Sequence, residues 1–205
     1  MIIRPLSVFE REDVREFYLG LSADDRRKRF CSTLTDAPIS KYVDRLDFRR
    51  DSVLGAFDDQ ARLIGLAELV RGGEASEMAF SVTPEKRGQK IGTRLMDKLL
   101  LRARMCGVHS VFVMFFAENT PMRKMAIRAG MRVQTCEGEA YASRELPGAS
   151  AQDLTRWFME EEFAHGGYFA TLGIARWRSL VTPAPAAAPK LIKAPSANVP
   201  LAVTS

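Results

Sequence analysis

A mixed α/β (α+β) fold, built on a mostly antiparallel central sheet flanked by helices, is predicted by three features of the 205-residue sequence. Three apolar-rich runs between residues 52 and 82 follow one another with only tight turns between them, as in an antiparallel meander. A nearly unbroken apolar run over residues 108–116 then lies between two helical patterns, as expected of an inner strand buried on both faces. The whole order reads β-α-α-β-β-β-α-β-α-β-β, with no repeat at a fixed period.

Each element has its own signal. Ile2 to Pro5 reads as a short strand. Glu12 to Leu21 places Val14, Phe17, Tyr18 and Leu21 on one helical face. Ser22, with Asp25 three residues on, is an N-cap signal for a second helix ending near Phe30. Ser40 starts a short helix containing Tyr42, Val43 and Leu46. The meander strands are Ser52 to Phe57, Leu63 to Val70 and Ser76 to Val82, turned by Asp58-Asp59-Gln60 and Arg71-Gly72-Gly73-Glu74. From Ile91 to Met105 the apolar residues Leu95, Met96, Leu99 and Ala103 recur at helical spacing, continued by Cys106, and Gly107 ends the helix. Thr120 to Ala129 is a helix closed by Gly130, and Arg132 to Glu145 supplies a final pair of strands.

Three regions follow along the chain: a domain over 1–146, a helical extension over 147–181 and a tail over 182–205. Ser150 and Asp153 cap the extension, where Leu154, Trp157, Phe158 and Phe163 follow. Gly166-Gly167 interrupts it, and Tyr168 to Leu180 resumes as a helix. So many large apolar side chains should bury, against the first domain or against a second copy in a homodimer. The tail holds five of the ten prolines and no acidic residue. Such a composition predicts disorder, because little apolar area is available to offset the entropy of ordering.

Composition narrows the function. Apolar residues make up 46% and charged residues 27%, with a formal net charge of +5. That mild basicity suits a phosphate-bearing ligand but falls short of a nucleic-acid footprint. Three cysteines without a Cys-x-x-Cys pair, and two distant histidines, argue against a structural metal or a disulfide framework and for a reducing, cytoplasmic setting. No apolar run has the length of a signal core or a membrane span, so no membrane partner is expected.

The chemistry concentrates in Ser81-Val82-Thr83-Pro84-Glu85-Lys86-Arg87-Gly88-Gln89-Lys90-Ile91-Gly92-Thr93. A strand ends, a basic, glycine-containing turn follows, and a helix begins at once. Backbone amides at a helix N-terminus can donate to phosphate oxygens, and the helix dipole favours the anion. The segment is neither a P-loop nor a dinucleotide fingerprint. It resembles motif A of the GNAT superfamily of N-acetyltransferases, Gln/Arg-x-x-Gly-x-Gly/Ala, at Arg87, Gly88, Gln89, Lys90, Ile91 and Gly92, with Lys90 in place of the usual first glycine. Asn119 to Met131 resembles the family's motif B, a helix opened by asparagine and closed by glycine plus an apolar residue. Leu21-Ser22 through Arg29-Phe30 is similar to a segment of the Pat-type protein lysine acetyltransferases, and Glu77, Met122 and Ala126 fit that group's pattern.

The resemblance implies acetyl-CoA as cosubstrate, no metal, and a protein lysine or small amine as acceptor. It implies that Arg87, Gly88, Gln89, Lys90, Ile91, Gly92 and Thr93 wrap the pyrophosphate, while the backbones of Phe80 and Val82 and the amide of Asn119 meet the pantetheine arm. Ala126 stands where many members carry a tyrosine that protonates the leaving thiolate, so the general acid is unassigned. A silent acyl-CoA-binding regulator is therefore an alternative to an enzyme.

A base is needed for amine attack. A lysine amine has a pKa near ~10.4, so its deprotonation at pH 7 costs roughly 4.6 kcal/mol. On the Ser76 to Val82 strand, Glu77, Ala79 and Ser81 share one face and Met78, Phe80 and Val82 the other. Glu77 is the candidate base, a carboxylate beside small side chains, and its place in the family pattern agrees. Glu68 is the rival; His109 and Cys106 read as structural. Arg26-Arg27-Lys28-Arg29, and likewise Arg123, Lys124 and Arg128, read as solvated helix faces.

Overall fold

In the computed structural model, which describes residues 1–157 and 159, one seven-stranded sheet organises the chain. The strands are β1 (Ile2–Pro5), β2 (Ser52–Phe57), β3 (Leu63–Val70), β4 (Ser76–Val82), β5 (Ser110–Phe116), β6 (Arg132–Cys136) and β7 (Glu139–Glu145). The helices are α1 (Arg11–Leu19), α2 (Ala23–Phe30), α3 (Asp36–Arg45), α4 (Ile91–Met105) and α5 (Thr120–Arg128), with 3-10 turns at Val8–Glu10 and Pro84–Lys86. Spatial order is β1-β2-β3-β4-β5-β7-β6. Every adjacent pair is antiparallel except β4 and β5.

Strand alternation sends side chains to two cores. On one face Ala67, Leu69, Met78, Val111, Val113 and Phe115 pack with Leu95, Met96 and Leu99 of α4 and Met122 and Ala126 of α5. On the other, Val53 and Leu66 pack with Val14, Phe17 and Tyr18 of α1 and Ile39 and Val43 of α3. Two predicted caps form: the Ser22 side chain accepts from the Asp25 N–H at 3.1 Å, and the Asn119 side chain accepts from the Met122 N–H at 3.2 Å.

Two expectations need correction. The third helix starts at Asp36, with Thr35 as its N-cap, rather than at Ser40. Pro38 conceals this start, yet proline is tolerated in a first turn, where amides lack helical partners anyway. Residues 110–116 are buried on one face only. Val111, Val113 and Phe115 are in the core, whereas Phe112 and Phe116 are half-buried and Met114 is exposed. Among the described residues, α1 and α3 cover the β2–β3 half of that face and α2 reaches β4 and β5, leaving Met114 and Tyr141 exposed on the β5–β7 half.

Residues 151–157 form a helix, capped as expected: Ser150 Oγ accepts from the Asp153 N–H at 3.2 Å. It sits against α4. Arg104 pairs with Asp153 at 2.5 Å, and the Arg102 guanidinium lies 4.7 Å from the centroid of Trp157. The remainder of the predicted extension, including Phe158, Phe163 and Tyr168 to Leu180, and the tail over 182–205 lie outside the described residues.

Candidate active site

Among the described strands, the sheet opens at its one parallel junction. β4 and β5 pair at Ser76–Val111 and Glu77–Phe112, and no further pairing joins them. The edge of β4 turned toward that gap can be deduced. The Thr83 N–H donates to the Ile64 carbonyl at 3.0 Å, in register with the β3–β4 ladder. Alternation in an antiparallel pair then directs the backbone N–H and C=O of Met78, Phe80 and Val82 away from β3 and into the opening. Arg87 Nε reaches the Val82 carbonyl there, at 3.2 Å.

A cavity of about 650 Å³ occupies this region. Phe80, Val82, Arg87, Gly88, Lys90, Ile91, Gly92, Thr93 and Asn119 all line it. Gln89 is exposed and lies outside the lining, so its side chain is not among the residues brought together. The turn into α4 is tightly wound. Gly88 has φ +76°, and Lys90, at the N-cap of α4, is also left-handed at φ 61°. The lysine thus takes the conformation a glycine would take without steric cost. At Gly92 an added Cβ would lie 3.2 Å from Met125 Sδ, so α5 packs directly on the first turn of α4.

Helix α2 completes the wall and shows residues the sequence did not reveal. The Asp25 side chain is buried, accepts from Ser22 Oγ at 2.8 Å, and pairs with the Arg87 guanidinium. Arg87 is therefore anchored by α2 as well as by its own loop. The run Arg26-Arg27-Lys28-Arg29 is not a solvated face. Arg26 donates to the Leu19 and Leu21 carbonyls and pairs with Asp36 at 2.6 Å. Arg27 pairs with Glu118 at 3.2 Å and lies 4.0 Å from the Phe116 ring centroid. Lys28 pairs with Asp24.

Arg29 turns fully inward. Its side chain, 5% exposed, pairs with Glu68, 1% exposed, inside a box of Tyr18, Phe30 and Tyr42. The Tyr42 hydroxyl donates to the same Glu68 oxygen at 2.5 Å, while Glu68 Oε1 is buried with no hydrogen-bond partner among the described residues. Burial pushes the Tyr18 and Tyr42 hydroxyls above the ordinary tyrosine range. This commits Glu68 to an internal pair and removes it as a rival base.

Glu77 lies at the other end of β4 from the cavity-lining residues and is exposed. In register it shares the open sheet face with Phe112, Met114 and Phe116 of β5 and with Glu139 and Tyr141 of β7. Phe112 and Tyr141 stack with centroids 5.2 Å apart. Cys31 is close by: burial pushes its thiol up, Glu139 adds to the effect, and Glu77 contributes. The remaining candidates fall elsewhere. His109 is exposed and uses its backbone carbonyl to accept the Leu146 N–H at 2.7 Å. Cys106 packs against the core, Ala126 is fully buried, and Arg123 donates to Thr135 at 2.8 Å. Lys124 and Arg128 are exposed, yet both line the cavity.

The Acetyltransferase (GNAT) family pattern matches residues 15–131, which include β4, the turn into α4 and all of α5. The chain belongs to this family. It is a GNAT-type N-acetyltransferase, and GNAT enzymes generally use acetyl-CoA as cosubstrate. Its fold is similar to the GNAT domain of S. lividans PAT, with a TM-score of 0.59 at 19% identity, covering 70% of this chain and 89% of that one. It is also similar to a ribosomal-protein-alanine N-acetyltransferase from Brucella melitensis, with a TM-score of 0.58 at 16% identity, covering 71% and 100%. A GNAT acetyltransferase from Staphylococcus aureus Mu50 gives a TM-score of 0.57 at 16% identity, covering 71% and 98%. Among the described residues no helix is long and apolar enough to cross a membrane, and no group of three or more His, Cys, Asp or Glu could hold a metal ion.

Proposed function

We propose that this GNAT enzyme transfers an acetyl group from acetyl-CoA to a primary amine, a protein lysine in particular, by direct attack in a ternary complex. The observation that carries the reading is the opened β4–β5 junction, with β4 backbone groups turned into the gap and a basic helix N-terminus on one side and Glu77 on the other. The cavity suits acetyl-CoA. Its turn amides and cations match phosphate chemistry, and the outward-facing backbones of Phe80 and Val82 match an amide-bearing arm. Arg87, Gly88, Lys90, Ile91, Gly92 and Thr93 would hold the diphosphate. Asn119, whose Oδ1 is committed to the α5 cap, would offer its amide nitrogen.

Bound acetyl-CoA supplies an activated thioester; the protein has to manage a proton and a charge. Glu77, directly or through water, would take the proton from the acceptor ammonium and offset the roughly 4.6 kcal/mol that deprotonation costs at pH 7. The Phe80 N–H would stabilise the developing oxyanion. The exposed Met114 and Tyr141 and the half-buried Phe112 beside Glu77 favour an acceptor on a macromolecular surface, since they extend the site as an apolar face rather than closing it as a pocket. The free cysteines fit a reducing cytoplasm.

The test is incubation of the full chain with isotope-labelled acetyl-CoA and a cell lysate, followed by mass spectrometry. Label on protein lysines supports the reading. Label confined to a small amine retains the chemistry and rejects the protein acceptor, and a donor that binds without amine-dependent release of CoA identifies a silent regulator.

A further inference from the structure

Four cations lining the cavity, Lys86, Lys90, Lys124 and Arg128, form no ion pair among the described residues. Lys86 and Lys90 belong to the β4–α4 turn, beside the amides assigned above to a diphosphate. Lys124 and Arg128 do not. They stand four residues apart on α5, a spacing that puts both on one helical face. Like charges at that spacing repel, so nothing within the helix accounts for the pair. Met125, between them in sequence, is the residue packed on Gly92 in the first turn of α4. Both cations therefore flank the contact that joins α5 to the anion-binding turn.

Charge matching indicates what they serve. A diphosphate diester carries two negative charges, which the turn, Arg87 and the α4 dipole can meet. A phosphomonoester carries a further ~1.5 to 2 negative charges at pH 7. CoA bears one, on its ribose 3′ position; dephospho-CoA differs only in lacking it.

We propose that Lys124 and Arg128 form a second phosphate subsite, distinct from the α4 N-terminus, that binds the 3′-phosphomonoester of CoA and makes this chain select CoA over its dephospho form. The inference rests on the acetyl-CoA reading above and goes beyond it by assigning donor specificity to two residues outside the signature turn. Arginine can grip the phosphate through two parallel N–H donors, whereas lysine acts as a point charge, so the pair combines geometry with attraction.

The test is titration calorimetry of the full chain with CoA and with dephospho-CoA, repeated at raised salt. The unaltered protein should bind CoA about tenfold or more tightly than dephospho-CoA, the worth of one or two charge-assisted hydrogen bonds. That ratio should shrink with salt, because the sites are exposed. In Lys124→Ala/Arg128→Ala the ratio should fall close to one; in Lys124→Arg/Arg128→Lys it should persist. Equal affinities in the unaltered protein, or an undiminished ratio in the alanine variant, would overturn the subsite while leaving the acetyl-CoA reading intact. Binding of neither nucleotide would overturn both.

Discussion

Replacing Glu68 with alanine removes one half of an ion pair that holds α2 to the sheet. Arg29, 5% exposed, would be left, among the described residues, with the Tyr18 and Tyr42 hydroxyls as polar partners, at 3.3 and 2.8 Å. Stranding one member of a buried pair costs about 3–5 kcal/mol, a large share of the ~5–15 kcal/mol that keeps a domain folded. The intact pair is itself imperfect: Glu68 Oε1 has no partner among the described residues, and a buried unsatisfied polar atom costs about 1–3 kcal/mol. Exchanging both residues for apolar ones of similar volume, Arg29→Met/Glu68→Leu, should therefore be near neutral. Urea unfolding of the two single variants and the double one closes the cycle, with a coupling of several kcal/mol expected. A Glu68→Ala protein within about 1 kcal/mol of the parent, or a double variant as unstable as the two single losses added, would refute this account of α2.

Two further outcomes follow from the turn and from the carboxylates. Lys90 at φ 61° bears the left-handed cost that glycine avoids, so Lys90→Val should be less stable than Lys90→Gly by about 1–2 kcal/mol; equal denaturation midpoints would show that the turn relaxes freely. Asp58 and Glu10 are both held below the ordinary carboxylate range. Burial alone would raise them, but the Arg62 and Gln60 amides and the Arg62 guanidinium outweigh it at Asp58, and Arg4 and Ser7 outweigh it at Glu10. With folded values depressed, their stabilisation is complete above the unfolded values near ~4 and is lost as pH falls through the folded ones. Asp58→Asn/Glu10→Gln should flatten the loss of stability below about pH 4, and an unchanged acid limb in a pH series of unfolding midpoints would contradict that.

What could be read in the sequence was whatever local chemistry decides. Ser22, Asn119 and Ser150 announced their caps because a hydroxyl or amide oxygen two or three residues before an unsatisfied N–H needs no tertiary information. The strand-turn-helix at residues 81–93 announced its cavity for a similar reason, since glycine, basic residues and a helix start occur together. Arg29 could not be singled out among Arg26, Arg27 and Lys28. Its inward turn depends on Glu68, 39 residues away in sequence, and on the aromatic box that closes around both. The outer face of β5 was hidden in the same way: Phe112, Met114 and Phe116 are as apolar as Val111, Val113 and Phe115, and only the tertiary arrangement leaves Met114 exposed while Phe112 stacks on Tyr141 and Arg27 lies over Phe116. Lys124 and Arg128 looked like an ordinary wet helix face until the packing of Met125 on Gly92 brought α5 to the cavity.

The pH dependence of steady-state acetyl transfer by Glu77→Gln bears most directly on the proposed chemistry. The glutamine keeps the shape of the side chain and removes the proton acceptor. At neutral pH kcat should fall by roughly 10²–10⁴ while the affinity for acetyl-CoA is retained, and activity should recover as pH rises toward the pKa of the acceptor amine, where less deprotonation is required. A Glu77→Gln enzyme that matches the parent at neutral pH, or one whose deficit is the same at every pH, would contradict the assignment of proton removal to Glu77.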